Sequence, residues 1–70
     1  MNYPELRASI ARNGMTIRSI SSEIGITEQA LHNKLAGKAE FKNSEIKKIA
    51  TLLSMSMEDV NNIFFDSVVN

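Results

Sequence analysis

Apolar residues recur along the chain at spacings of three and four, the mark of helices with one buried face, and glycines or capping residues interrupt them at short intervals. Leu6 and Ile10 give a first helix its inward face, Pro4 suits its first position, and Gly14 follows as a stop. Thr16 is a good N-cap for a second helix, in which Ile17, Ile20 and Ile24 share a face and Gly25 ends the run. Thr27 caps a third helix that buries Leu31 and Leu35 and stops at Gly37. Phe41 falls in the next loop and is expected to fold back on the core. A fourth helix begins near Asn43 or Ser44 and runs to about Leu53, with Ile46, Ile49, Ala50 and Leu53 inward. Ser56 and Asp59 make a capping-box-like start for a fifth, whose inward residues are Val60, Ile63 and Phe64. Met15, Met55 and Met57 lie at the starts of elements and read as core fillers. Residues 1–70 thus read as one compact all-α domain of five short helices, without a repeat, a linker or a low-complexity segment.

Composition narrows what such a domain can be. Seventy residues lie near the lower limit for folding without a staple, and there is no Cys to supply one. Stability therefore rests on apolar burial, with a partner chain as a possible complement. The longest apolar run is Ile63-Phe64-Phe65, far short of a membrane span, and residues 1–15 carry Glu5, Arg7 and Arg12 where a signal peptide would be apolar. The expectation is a soluble protein of the cytoplasm, with no membrane partner. The formal net charge is zero, but its two halves differ. Residues 1–48 hold all eight Lys and Arg against five acids, a net of +3, whereas residues 49–70 hold Glu58, Asp59 and Asp66 and no base, a net of −3. A basic body suits an anionic partner, although a solvated surface with chance clustering has the same balance.

Enzymatic readings find little support. There is no Cys nucleophile, no glycine-rich phosphate loop and no pair of histidines for a metal, and the lone His32 reads as helix surface. Neither a catalytic site, a metal nor a small-molecule cofactor is expected. The second and third helices carry more information. A helix-turn-helix needs a small residue where its helices cross, a glycine at the turn and apolar packing on both sides. Ser21 is the small residue, Gly25 the turn, Ile26 the plug behind it, and Ile20, Ile24, Leu31 and Leu35 the packed sides.

With those residues in place, "TIRSISSEIGITEQALHNKLAGK" (Thr16 to Lys38) resembles the helix-turn-helix of the Cro and phage-repressor type, also called the xenobiotic-response-element family. "FKNSEIKKIATLLSMSMEDVNNIFF" (Phe41 to Phe65) is similar to the last two helices of small phage-encoded regulators of Gram-positive bacteria. The resemblance implies a five-helix, lambda-repressor-like domain with its helix-turn-helix at about residues 16–36 and a C-terminal helix and tail at about 56–70. It also implies double-stranded operator DNA as ligand and a homodimer on a two-fold site. Residue by residue, Glu28, Gln29, His32 and Asn33 fall at the base-reading positions of the third helix. Gln and Asn can each grip adenine through N6 and N7. Thr16, Arg18, Thr27, Lys34, Lys38, Lys42 and Asn43 are the implied contacts to the DNA backbone.

Two residues depart from the family pattern. Many members place Gln at the position of Ile17, where it touches phosphate; Ile17 is instead extra core or a contact for another protein. Glu28 puts a carboxylate beside a phosphate-lined groove, which is unfavourable unless it accepts from a cytosine amine. Near the C-terminus, Phe64 and Val68 share one helical face and Phe65 and Val69 another, turned by about 100°. Such a second apolar face suits a dimer or partner interface, although a wide core-facing stripe or a tail folded over Phe41 has the same pattern. Two functions follow. The first is a Cro-like regulator that occludes a promoter in a lysis–lysogeny switch. The second is an antirepressor that binds a partner phage repressor through Ile17, Arg18 and Glu28. A toxin-binding antidote also fits the apolar end but has no motif of its own.

Overall fold

The computed structural model describes residues 3–65, and all the regular structure among them is helical. The helices are α1 (Tyr3–Arg12), α2 (Ile17–Ile24), α3 (Glu28–Leu35), α4 (Asn43–Leu52) and α5 (Met57–Val60), the last running into a π-helical turn over Asn61–Phe65. Their starts follow the expected caps. The Thr16 and Ser19 side chains each accept from the other's backbone N–H, at 3.1 and 2.9 Å. Thr27 Oγ1 accepts from Ala30 N–H at 3.0 Å. Ser56 and Asp59 close a reciprocal capping box.

The helix ends share one device. After α1, α2, α3 and α4 comes a residue at positive φ, namely Gly14, Gly25, Gly37 and Ser54. In each case its N–H and that of the following residue turn back to the final turn, the Schellman pattern that satisfies orphan carbonyls. At Gly25 (φ 82°) the N–H donates to Ser22 O, and Ile26 N–H to Ser21 O at 2.9 Å. Ser21 is buried where α2 meets its neighbours, and its hydroxyl is satisfied by the Arg18 carbonyl at 2.9 Å. The residue after the left-handed position packs on the core at three of the four ends: Met15, Ile26 and Met55. At the fourth it is Lys38, which is exposed.

Helices α1 to α4 each supply one fully buried side chain to a single core, Leu6, Ile20, Leu31 and Ile49, and the π-helical turn supplies Phe64. Burial of a side chain of this size contributes about 1.5–3 kcal/mol. Phe41 does fold back, packing edge-on against Tyr3 and Phe64 with ring centroids 5.6 and 5.3 Å away. Val60, Ile17 and Leu52 lie partly buried around this core. Met57 corrects the expectation of a third methionine filler: it stands 75% exposed at the first turn of α5. Phe64 is corrected in the other direction, since at 2% exposure it belongs to the core and has no surface left for a partner.

The largest correction is Lys34. Expected at the DNA backbone, it is buried between α3 and α4. Its ammonium donates to Glu45 Oε1 at 2.9 Å and to the Glu40 carbonyl at 3.0 Å, and it lies 5.8 Å from the Phe41 ring centre. Glu45, three residues into the α4 start, also accepts from Lys42 N–H at 2.9 Å. Burial by itself would raise the Glu45 carboxyl, but the Lys42 N–H and the Lys34 ammonium outweigh it and hold the group below its usual value.

Four expectations follow. Because a Cβ on Gly25 would meet nothing within 4 Å, Gly25→Ala tests the left-handed backbone alone and should cost about 1–2 kcal/mol by urea denaturation. Ser54→Gly relieves the same strain at the α4 end and should gain roughly 0.5–1 kcal/mol. For the buried pair, Glu45→Gln or Lys34→Met should each cost about 3–5 kcal/mol, whereas the double variant Lys34→Met/Glu45→Leu should recover most of that loss. Because the folded-state pKa of Glu45 is lowered, its contribution is complete above the unfolded value of about 4.3. It disappears as pH falls from there through the folded-state value. Unfolding midpoints of Glu45→Gln should therefore fall less steeply than those of the wild type below that pH.

Candidate nucleic-acid interface

The helical period sorts the residues of α3 onto two sides. At about 100° per residue, Leu31, Lys34 and Leu35 fall within one arc, and all three are buried. Glu28, Gln29, His32 and Asn33 occupy an adjoining arc of about 140°. The first three are exposed and Asn33 is half-buried. All four residues expected to read bases thus share one accessible face. On it, Gln29 Nε2 donates to Asn33 Oδ1 at 3.1 Å, one turn along. That bond uses one amide hydrogen of Gln29 and leaves its carbonyl oxygen and second hydrogen available, the pair of groups adenine needs.

Both ends of this face carry candidate backbone contacts. Near the start of α3, Arg18 reaches from the first turn of α2, and its Nε donates to Glu28 Oε2 at 3.2 Å. Thr27 sits at the N-cap, its hydroxyl oxygen already accepting from Ala30 N–H. Beyond the other end lie Lys38, Lys42 and Asn43, all exposed, on the connection into α4 and its first residue. Eight residues of α3 separate the two groups by about 12 Å. Among the described residues, neither Lys38 nor Lys42 has an ion-pair partner. Lys34 is excluded from this set because its ammonium is spent on Glu45 and Glu40. Thr16 is exposed but its hydroxyl is engaged with Ser19.

The remaining candidates are more scattered. Ile17 is half-buried against the core beside Arg18, so Ile17, Arg18 and Glu28 form one continuous edge with a partly apolar end. Phe65 is 52% exposed next to buried Phe64, at a cleft lined by Tyr3, Phe41 and Ile46. Val68 and Val69 lie outside the described residues. Sequence reasoning missed Glu45, although a glutamate three residues after the residue preceding a helix is a recognised capping signal. It also missed that Glu28 and Arg18 pair, which needs the α2–α3 geometry.

A search of curated proteins found no match to the chain. Residues 1–67 match the model of a family described as "Protein of unknown function (DUF739)", and with nearly its whole length matched the chain belongs to that family.

Proposed function

We propose that this protein is a Cro-like transcriptional regulator of phage or prophage type. Its α2–α3 pair acts as a helix-turn-helix, with α3 in the major groove of operator DNA and a homodimer matching a two-fold site. The observation that carries this reading is the division of α3 into a buried side and an exposed side bearing Glu28, Gln29, His32 and Asn33. Lys38 supports it. The position after the left-handed residue holds a core-packed apolar side chain at the other three helix ends, and here holds a free ammonium facing solvent. With a net charge of zero, non-specific affinity comes from local cations alone and is modest, so specificity rests on base contacts. The protein works by binding, not by catalysis, in the bacterial cytoplasm where its DNA lies.

A second reading has its own support. Ile17 stands where a phosphate-binding Gln would help a DNA reader, and the adjoining Arg18 and Glu28 already satisfy each other. That edge suits a protein partner, and the chain would then act as an antirepressor by covering a repressor's reading head.

Gel shifts with the DNA flanking the coding region separate the two. For a DNA reader, Gln29→Ala should weaken binding to the preferred site by about 1–3 kcal/mol and leave other DNA unaffected. Lys38→Ala should weaken binding to all DNA and lower the salt slope by about 1. No binding to any duplex at low salt and micromolar protein would remove the DNA reading, and one-to-one co-purification with a neighbouring repressor would favour the alternative. For the homodimer, Phe65→Ser should shift sedimentation at micromolar concentration toward the monomer with little change in unfolding midpoint, since Phe65 is half-exposed.

A further inference from the structure

Glu28 poses a physical problem for the proposed reader. Phosphates line both walls of the major groove, and an ionised carboxylate has acceptor oxygens only. Among base edges, adenine offers an amine beside the N7 acceptor, which repels a second acceptor, whereas cytosine offers its N4 amine alone. A carboxylate at this position therefore matches cytosine, provided its charge is neutralised.

Arg18 meets that condition. It lies on a different helix, yet its Nε is 3.2 Å from Glu28 Oε2. Glu28 Oε1 has no partner among the described residues, and neither terminal NH2 group of Arg18 has one. The guanidinium is planar and carries five N–H donors in a fixed fork, so one can hold the carboxylate while others face an anion. Fold stability does not explain the pair. The two side chains are 86% and 50% exposed, and ion pairs of that kind contribute little. The α3 N-terminus favours an acid at its first position, but any Asp or Glu satisfies that preference without an arginine from α2.

We propose that Arg18 and Glu28 form a single cytosine-reading unit. Arg18 is the positioning residue: it holds Glu28 by Oε2, cancels its charge and turns its terminal NH2 groups to a DNA phosphate. Glu28 Oε1 is left to accept from the N4 amine of one cytosine in each half-site. The unit rests on the proposal that α3 enters the major groove. It makes the acid that looks foreign to a DNA reader the source of its preference for a C·G pair.

The test is selection of bound duplexes from a randomised pool, followed by affinities on the recovered site. The wild type should require C·G at one position of each half-site, and Glu28→Gln should change the preference there to A·T, because an amide matches adenine N6 and N7. Arg18→Gln should weaken binding to the C·G site at least about tenfold, and Arg18→Lys should restore part of it. In the Glu28→Gln background, Arg18→Gln should cost no more than about threefold, equally across sequences, as loss of a phosphate contact does. Unfolding midpoints of the Arg18 variants should match the wild type. An unchanged base preference in Glu28→Gln overturns the inference, as does an Arg18→Gln effect that is the same whichever residue stands at 28. In either case the wild type still binds DNA and the broader reading survives. A wild type that binds no duplex at low salt overturns both.

Discussion

A lysine ammonium cannot be buried bare, and the way this chain satisfies Lys34 fixes much of the rest. Glu45 supplies the charge, the Glu40 carbonyl a second acceptor, and the Phe41 ring a face nearby. Three different parts of the chain are thereby tied to the inward side of α3: the connecting loop, its aromatic anchor and the first turn of α4. Because Glu45 also accepts from Lys42 N–H, the same carboxylate starts α4 and closes the loop. A hydrophobic replacement could hold α3 and α4 together equally well. In this chain the ionic version joins α3 to the loop that carries Lys38 and Lys42 and to the start of α4, through the Glu40 carbonyl and Glu45.

Much of this architecture was legible in the sequence because it depends on local rules. Gly14, Gly25 and Gly37 mark ends at which the backbone must turn left-handed, and Thr16, Thr27 and Ser56 mark starts through hydroxyls within reach of N–H groups three residues on. Leu6, Ile20, Leu31 and Ile49 are inward because their spacing leaves them no other common face. What escaped depends on tertiary context. Ser54 adopts the same left-handed turn without a glycine to announce it. Lys34 looked like a surface cation until α4 brought Glu45 to it. The turn at Asn61–Phe65 widens to a π-helical step, and with it Phe64 is buried while its neighbour Phe65 remains half-exposed. Of the candidate site, the arc of Glu28, Gln29, His32 and Asn33 follows from helical period, whereas the Arg18–Glu28 contact crosses between helices and no spacing rule encodes it.

Zero net charge also has a definite distribution. Among the described residues, three of the eight cations are engaged, Arg12 with Glu5, Arg18 with Glu28 and Lys34 with Glu45, and of these pairs the last is buried. Arg7, Lys38, Lys42, Lys47 and Lys48 keep ammonium or guanidinium groups without an ion-pair partner among the described residues. If Arg18, Lys38 and Lys42 alone meet phosphates, each protomer releases about three counterions, a salt slope near −2.7. For the proposed homodimer the slope doubles to about −5.4, a term that weakens steeply as salt rises. Under the proposed DNA reading, discrimination between sites would therefore rest on the base contacts.

This economy bears on the two proposed functions. A DNA reader and a protein that covers a reading head need opposite charge at the point of contact, and Arg18 with Glu28 presents both signs within one hydrogen bond. In the proposed DNA reading the guanidinium would face a phosphate while Glu28 Oε1 stays open to a base. In the proposed protein-binding reading the carboxylate would lead, with half-buried Ile17 as an apolar edge beside it. An exposed pair is held together only weakly, so either partner can draw out its preferred member at small cost. On the neighbouring face of α3, Gln29 and Asn33 are tied to each other by a hydrogen bond, and the proposed DNA reading would use their remaining amide groups on base edges.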